Sequence, residues 1–312
     1  MNLQEQLDDG TVEELTNKPE NNYVSILILR ELESNAVFTT NGQDADITTV
    51  SLGEDEEYSP VQMFMRKQTG SDRRFAKSMQ RNLLEDIECT MDVNEMCQEC
   101  PECVMYGSAA SNSDRNISVT SRVMYDTAYS IRDAQRVVEE KFQNAPGDDY
   151  GKQTDDQSSS SGPREPDFVL PGTMFPSVVT LKDATPEEVA FFLSVTMKNK
   201  RYGATSSRQG RTKNHVLGIY TGDEESPSNL AITKETIKLL GEDSVEKDSL
   251  DSETVKSKVK KAFDNLAEED NIACNEVENR EGLLEDVRDN IDSYLEKQEE
   301  KAQKFIKEVE ED

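Results

Sequence analysis

Seven residues separate Cys89 from Cys97-Gln98-Glu99-Cys100-Pro101-Glu102-Cys103, so four thiols crowd one short stretch with CxxC steps between the last three. Structural zinc takes four such ligands tetrahedrally at ~2.3 Å, and a CxxC step lets consecutive sulfurs share one ion. Cys89, Cys97, Cys100 and Cys103 are therefore candidate Zn²⁺ ligands. An iron–sulfur cluster uses the same donors, and a metal-free cluster is the remaining alternative. Four protein ligands leave no open position for a reacting water, so the expected role is structural. The fifth cysteine, Cys274, reads as a small apolar residue.

Phosphate-binding chemistry is marked as clearly. Residues 189–222 contain no acid, although 64 Asp and Glu in 312 residues would place about seven there (64/312 × 34). The same run carries Lys198, Lys200, Arg201, Arg208, Arg211 and Lys213. Cations bind a phosphate backbone without regard to base identity. Arginine adds planar bidentate geometry, and backbone N–H groups near Gly203 and Gly210 can cradle an anion. Tyr202 offers a stacking face. No GK[ST] follows, which disfavours nucleotide hydrolysis. A second basic window, residues 59–84, holds Arg66, Lys67, Arg73, Arg74, Lys77 and Arg81 against one acid, Asp72.

The surrounding chain is acidic, with a net charge of −29, 32% charged and 34% hydrophobic residues and no tryptophan. Such a balance argues against nucleic-acid binding in dilute salt. Acids spread along the length fit a halophilic protein, because at molar salt the Debye length shrinks to ~3 Å and only contact-range charges count. No segment approaches the ~20 apolar residues of a membrane span, and the first residues lack the basic and apolar regions of a signal peptide. A soluble, cytoplasmic protein without a membrane partner or structural disulfides is expected.

The elements that must position these residues follow from periodicity. Residues 22–32 read as a buried strand, 33–57 as a loop or hairpin insertion, and 60–67 as a second extended piece. Residues 71–87 read as a helix with Phe75, Met79, Leu83 and Leu84 on one face. Residues 117–131 alternate as a strand and lead into a short helix toward Phe142; 169–181 read as a strand pair. Thr185-Pro186-Glu187-Glu188 is a helix start for a helix to about Lys198, and 215–220 is a strand begun by His215, read as structural or a minor RNA contact rather than catalytic. Helices are predicted over 232–240, 255–266 and 281–309, with residues 1–20 peripheral. The fold class is α+β: a ferredoxin-like, modified RNA-recognition-motif core over 20–222, discontinuous. Insertions interrupt it at 88–108 (zinc-binding) and 143–168 (mobile or thumb-like), and an acidic helical region, 223–312, decorates it.

Four motifs together resemble the RAMP-type backbone subunit of type I-D CRISPR interference (Cascade) complexes, in a haloarchaeal-like form. They are Cys97–Gly107 (CQECPECVMYG), Ser121–Tyr129 (SRVMYDTAY), Pro171–Phe175 (PGTMF) and Arg201-Tyr202-Gly203-Ala204 with its Ser-Arg-Gln-Gly sequel. The resemblance implies a protein that holds guide RNA (crRNA) in a positive channel and stacks copies of itself into a helical filament. It also implies target DNA recognised through the guide by base pairing, and other CRISPR complex subunits as partners. Arg122, inside the second motif, joins the RNA-binding set. The aromatic signatures of ordinary RNA-recognition motifs are missing, so contacts are expected from the basic windows. Related type III backbone subunits cut target strands through an aspartate loop after the first strand. Asp44 and Asp46 lie in a comparable place, where two carboxylates would hold Mg²⁺ for a metal-dependent endonuclease. In so acidic a chain any loop offers such a pair, and a non-enzymatic subunit is the expected answer. A zinc-bearing transcription or translation factor is a third reading.

Overall fold

The computed structural model describes residues 3–53, 56–92, 95–109, 117–140, 165–204 and 209–311. The central antiparallel sheet has strand Tyr23–Leu32 as its spine, flanked by Met174–Lys182 on one side and Gly210–Gly222 on the other. Val123–Tyr125 lies outside Met174–Lys182. Arg201–Tyr202 and Cys274–Glu276 pair with opposite ends of Gly210–Gly222.

The spine is an unbroken buried run from Val24 to Arg30 because both faces of the sheet are covered. Alternation then sorts its residues by face. Ile26 and Ile28 join Phe191 and Phe192 of helix Pro186–Lys198 and Leu283 to Leu295 of helix Arg280–Glu311. Leu27 and Leu29 point the other way, toward Ile232, Val255 and Phe263 of helices Asn229–Leu240 and Ser252–Glu269. The acidic C-terminal helices thus close one face and help close the other. Leu3, Leu7, Val12 and Leu15 are also buried, so the segment 3–15, expected to be peripheral, contributes side chains to the core.

The expected cap is present: the Thr185 hydroxyl accepts from the Glu188 N–H at 3.3 Å, and the Glu188 carboxylate accepts from the Thr185 N–H at 3.2 Å. Other boundaries move. The basic helix is Met65–Leu83, starting earlier than its apolar periodicity suggests, and only Pro60–Met63 before it is extended. The alternating run 117–131 is not one strand. It divides into Ser118–Val119, Val123–Tyr125 and Ala128–Asp133, each paired with a different partner. The helix after it is only Ala134–Val137. Residues 143–164 of the 143–168 insertion lie outside the described residues; its last residue begins a two-residue strand, Phe168–Val169. Among the described residues, no helix is long and apolar enough to cross a membrane.

His215, the single histidine, sits on the spine's neighbour with Nε2 2.9 Å from the Glu31 carboxylate. Burial holds its imidazole below the ordinary range against the opposing pull of Glu31. The folded state therefore resists protonation, so this contribution to stability is present above pH ~6.5 and is lost as the pH falls through the folded value. One imidazole signal in an NMR titration should report a value below 6.5, and acid loss of stability between pH 7 and 5 should shrink in His215→Asn.

Candidate nucleic-acid interface and metal centre

The two basic windows meet, and Asp72 joins them. Its Oδ1 accepts from the Tyr202 hydroxyl at 2.6 Å and from Asn199 Nδ2 at 2.8 Å, and its Oδ2 accepts from the Tyr125 hydroxyl at 2.8 Å. Asp72 lies on the basic helix; Asn199 and Tyr202 lie on the acid-free run. Arg30, from the spine, completes the knot: its guanidinium is 4.0 Å from Asp72, covers the Tyr202 ring at 4.9 Å and donates to Asn214 Oδ1 at 3.0 Å. Both members of the ion pair are fully buried. Burial first, and the Asp72 charge second, push the Tyr125 and Tyr202 phenols well up, so both remain donors. Ser71 Oγ also donates to the Arg201 carbonyl and accepts from Asn199 Nδ2.

A strip formed by residues 36–40 seals the joint. The Ala204 N–H donates to the Val37 carbonyl at 2.8 Å, while Lys67 and Arg66 donate to the Thr39 carbonyl and the Thr40 hydroxyl. Gly203, at φ +117°, fits because a Cβ would stand 2.8 Å from the Val37 oxygen.

Arg66, Arg74, Arg81, Arg201, Arg211 and Lys213 are exposed, with Lys67 and Lys200 half-buried beside them. Burial, then the opposing Glu33 and the neighbouring Arg211 and Lys213, act on Lys200 to leave its ammonium below the ordinary range. Glu33 accepts from Arg211 at 2.7 Å, and that bond pulls its carboxyl below the usual range.

Several expected RNA contacts face inward instead. Tyr202 is fully buried with its ring under Arg30, so it presents no stacking face. Lys77 is 1% exposed and points into the cysteine cluster. Arg122 is 8% exposed, donates to the Val104 carbonyl at 3.0 Å and lies over Phe305. Arg73 is turned onto Glu102, at 2.5 Å. Gly203 and Gly210 pack against Val37 and Ala36, leaving neither as an open phosphate cradle. These residues support the surface from within. Arg208 lies outside the described residues. Sequence reasoning missed Arg30, Asn199 and Asn214. The available signals were a lone cation, Arg30, in an apolar strand and a lone acid, Asp72, in a basic window.

Cys89, Cys97, Cys100 and Cys103 bring their sulfurs within 4.8 Å of one another. A tetrahedron with ~2.3 Å metal–sulfur bonds has edges of about 3.8 Å, so the set fits one such ion. Gln98 takes the left-handed turn (φ +65°) between Cys97 and Cys100, and Pro101 starts the helix Pro101–Tyr106 that carries Cys103. Among the described residues this is the one place where three or more His, Cys, Asp or Glu side chains converge as ligands. Asp46 accepts from the Thr40 hydroxyl at 2.8 Å.

The family model described as Csc2 Crispr matches residues 11–304. The chain belongs to the Csc2 family. No curated protein matches it. The fold is similar to the crystal structure of Csc2 from Thermofilum pendens (TM-score 0.64, 16% identity, covering 99% of this chain and 98% of that one). It is also similar to a chain of a CRISPR RNA-guided surveillance complex (0.52, 12%, 83% and 90%) and of such a complex before nicking (0.50, 10%, 81% and 89%). The Csc2 match spans the basic helix, the cysteine cluster and the acid-free run alike.

Asp72→Ala strands a buried guanidinium and should cost ~3–5 kcal/mol in denaturant unfolding. Tyr202→Phe removes one charge-assisted hydrogen bond and should cost ~1.5–3 kcal/mol. Equal, small effects of the two would contradict the central place given to Asp72.

Proposed function

We propose that this Csc2-family chain binds CRISPR guide RNA along its sugar–phosphate backbone and stacks with copies of itself as the helical backbone of a type I-D interference complex. Invading DNA would be recognised by base pairing to the guide. The observation that carries the reading is the joining of two cationic segments, remote in sequence, through the buried Asp72. Exposed arginines and lysines on both segments suit a phosphate backbone, which is bound by charge rather than by base readout. The strand order around the spine, with the two crossover helices Met65–Leu83 and Pro186–Lys198 on one face, supports an RNA-recognition-motif-like core. The cysteine cluster is read as a structural zinc site, and the source as haloarchaeal, with the protein cytoplasmic and non-catalytic.

The triple variant Arg201→Ala, Arg211→Ala, Lys213→Ala should weaken single-stranded RNA binding regardless of sequence. It should lower the slope of log K against log salt by ~0.7 for each phosphate that is no longer neutralised. Unchanged affinity would overturn the reading. Glu33→Gln releases Arg211 and should tighten binding without moving the unfolding midpoint. Guide-loaded protein with paired target and Mg²⁺ should leave the target intact; regular cuts abolished by Asp44→Ala or Asp46→Ala would make it an endonuclease instead.

A further inference from the structure

The cysteine cluster contains a fifth polar group that zinc coordination does not call for. Lys77 reaches in from the basic helix, its Nζ 2.7 Å from Cys89 Sγ, 3.1 Å from Cys103 Sγ and 3.4 Å from Cys100 Sγ. Gln80, one turn on, donates from Nε2 to Cys100 Sγ at 3.2 Å. The ammonium is held by the fully buried Glu102 at 2.7 Å, and Glu102 in turn takes Arg73 at 2.5 Å. Glu102 lies inside the Cys100-Pro101-Glu102-Cys103 turn itself, so ligand loop and basic helix are locked together.

Four thiolates around a divalent ion leave two net negative charges in a buried place, and burying uncompensated charge is costly. A lysine at 1% exposure is equally costly unless paired. Each supplies what the other lacks. Resting on the reading of the cysteines as a metal site, we propose that Lys77 is the built-in counter-ion of the tetrathiolate. Its N–H donors would hold three sulfurs in place and slow loss of the metal, with Glu102 as the residue that aims it. Lys77 is thus a positioning residue for the metal site and not an RNA contact.

Full-length protein is purified with its metal, the zinc content measured, and release to a chromophoric chelator timed. The cobalt-substituted form reports the sulfur-to-metal charge-transfer band. Lys77→Met should release metal ~10–100-fold faster, the usual effect of losing an outer-shell partner, and move the band to lower energy as the sulfurs lose N–H donors. Lys77→Arg, which keeps a cation and donors, should stay near wild type. Because Lys77→Met leaves the buried Glu102 with Arg73 as its one cationic partner, the double variant Lys77→Met, Glu102→Gln removes the charge without leaving a buried carboxylate short of a partner, and should show the same two changes. A metal-replete wild type whose double variant has unchanged release and an unchanged band overturns the proposal alone. A wild-type chain that holds no metal overturns the metal reading and the proposal together.

Discussion

A fully buried ion pair, Arg30 with Asp72, is the constraint from which the candidate surface follows. Neither charge is tolerable alone in that position, since an unpaired buried ion costs several kcal/mol. Arg30 is fixed by the spine strand, so Asp72 must come to it, and the basic helix comes with Asp72. Tyr202 and Asn199 follow because the carboxylate needs donors for its remaining lone pairs. The exposed cations are carried as passengers of this internal arrangement. The surface is cationic by composition but aligned by an anion beneath it.

The large elements were legible because their signals are local. A run such as Val24–Leu29 has few alternatives to a buried strand, and Thr185-Pro186-Glu187-Glu188 states a helix start within four residues. The cysteine set was legible because metal spacing is local too. What failed was long-range. The alternation of Val119, Ser121, Val123 and Tyr125 suggested one strand, yet the segment serves three different partners. Charge type alone could not tell Arg74, which is exposed, from Lys77, three residues on and turned inward. That choice depends on Glu102 and three sulfurs arriving on the same side of the helix. Tyr202 was misread for the same reason: a tyrosine beside arginines suits stacking until a buried carboxylate claims its hydroxyl.

The basic helix serves two structures at once. Arg73, Lys77 and Gln80 grip the cysteine loop, while Arg66, Arg74 and Arg81 remain exposed. The acid-free run has the same double character, with Tyr202 and Asn199 inward and Arg201, Arg211 and Lys213 outward. In a chain of net charge −29, this division concentrates cationic character where two internal anions, Asp72 and Glu102, hold it.

The spine strand pairs with residues far downstream on both edges, Tyr23 with Lys182 and Leu32 with Thr212. On the ribosome it emerges before both partners and must wait for them. Met174 follows Leu32 by 142 residues, a lag of roughly 7–30 s at ordinary elongation rates. Throughout that interval one of the most apolar stretches of the chain has two open edges and neither of its covering layers. Acids outnumber bases in the intervening residues, and like charge of that kind opposes association between chains with an unsatisfied strand before the protein has a native surface at all.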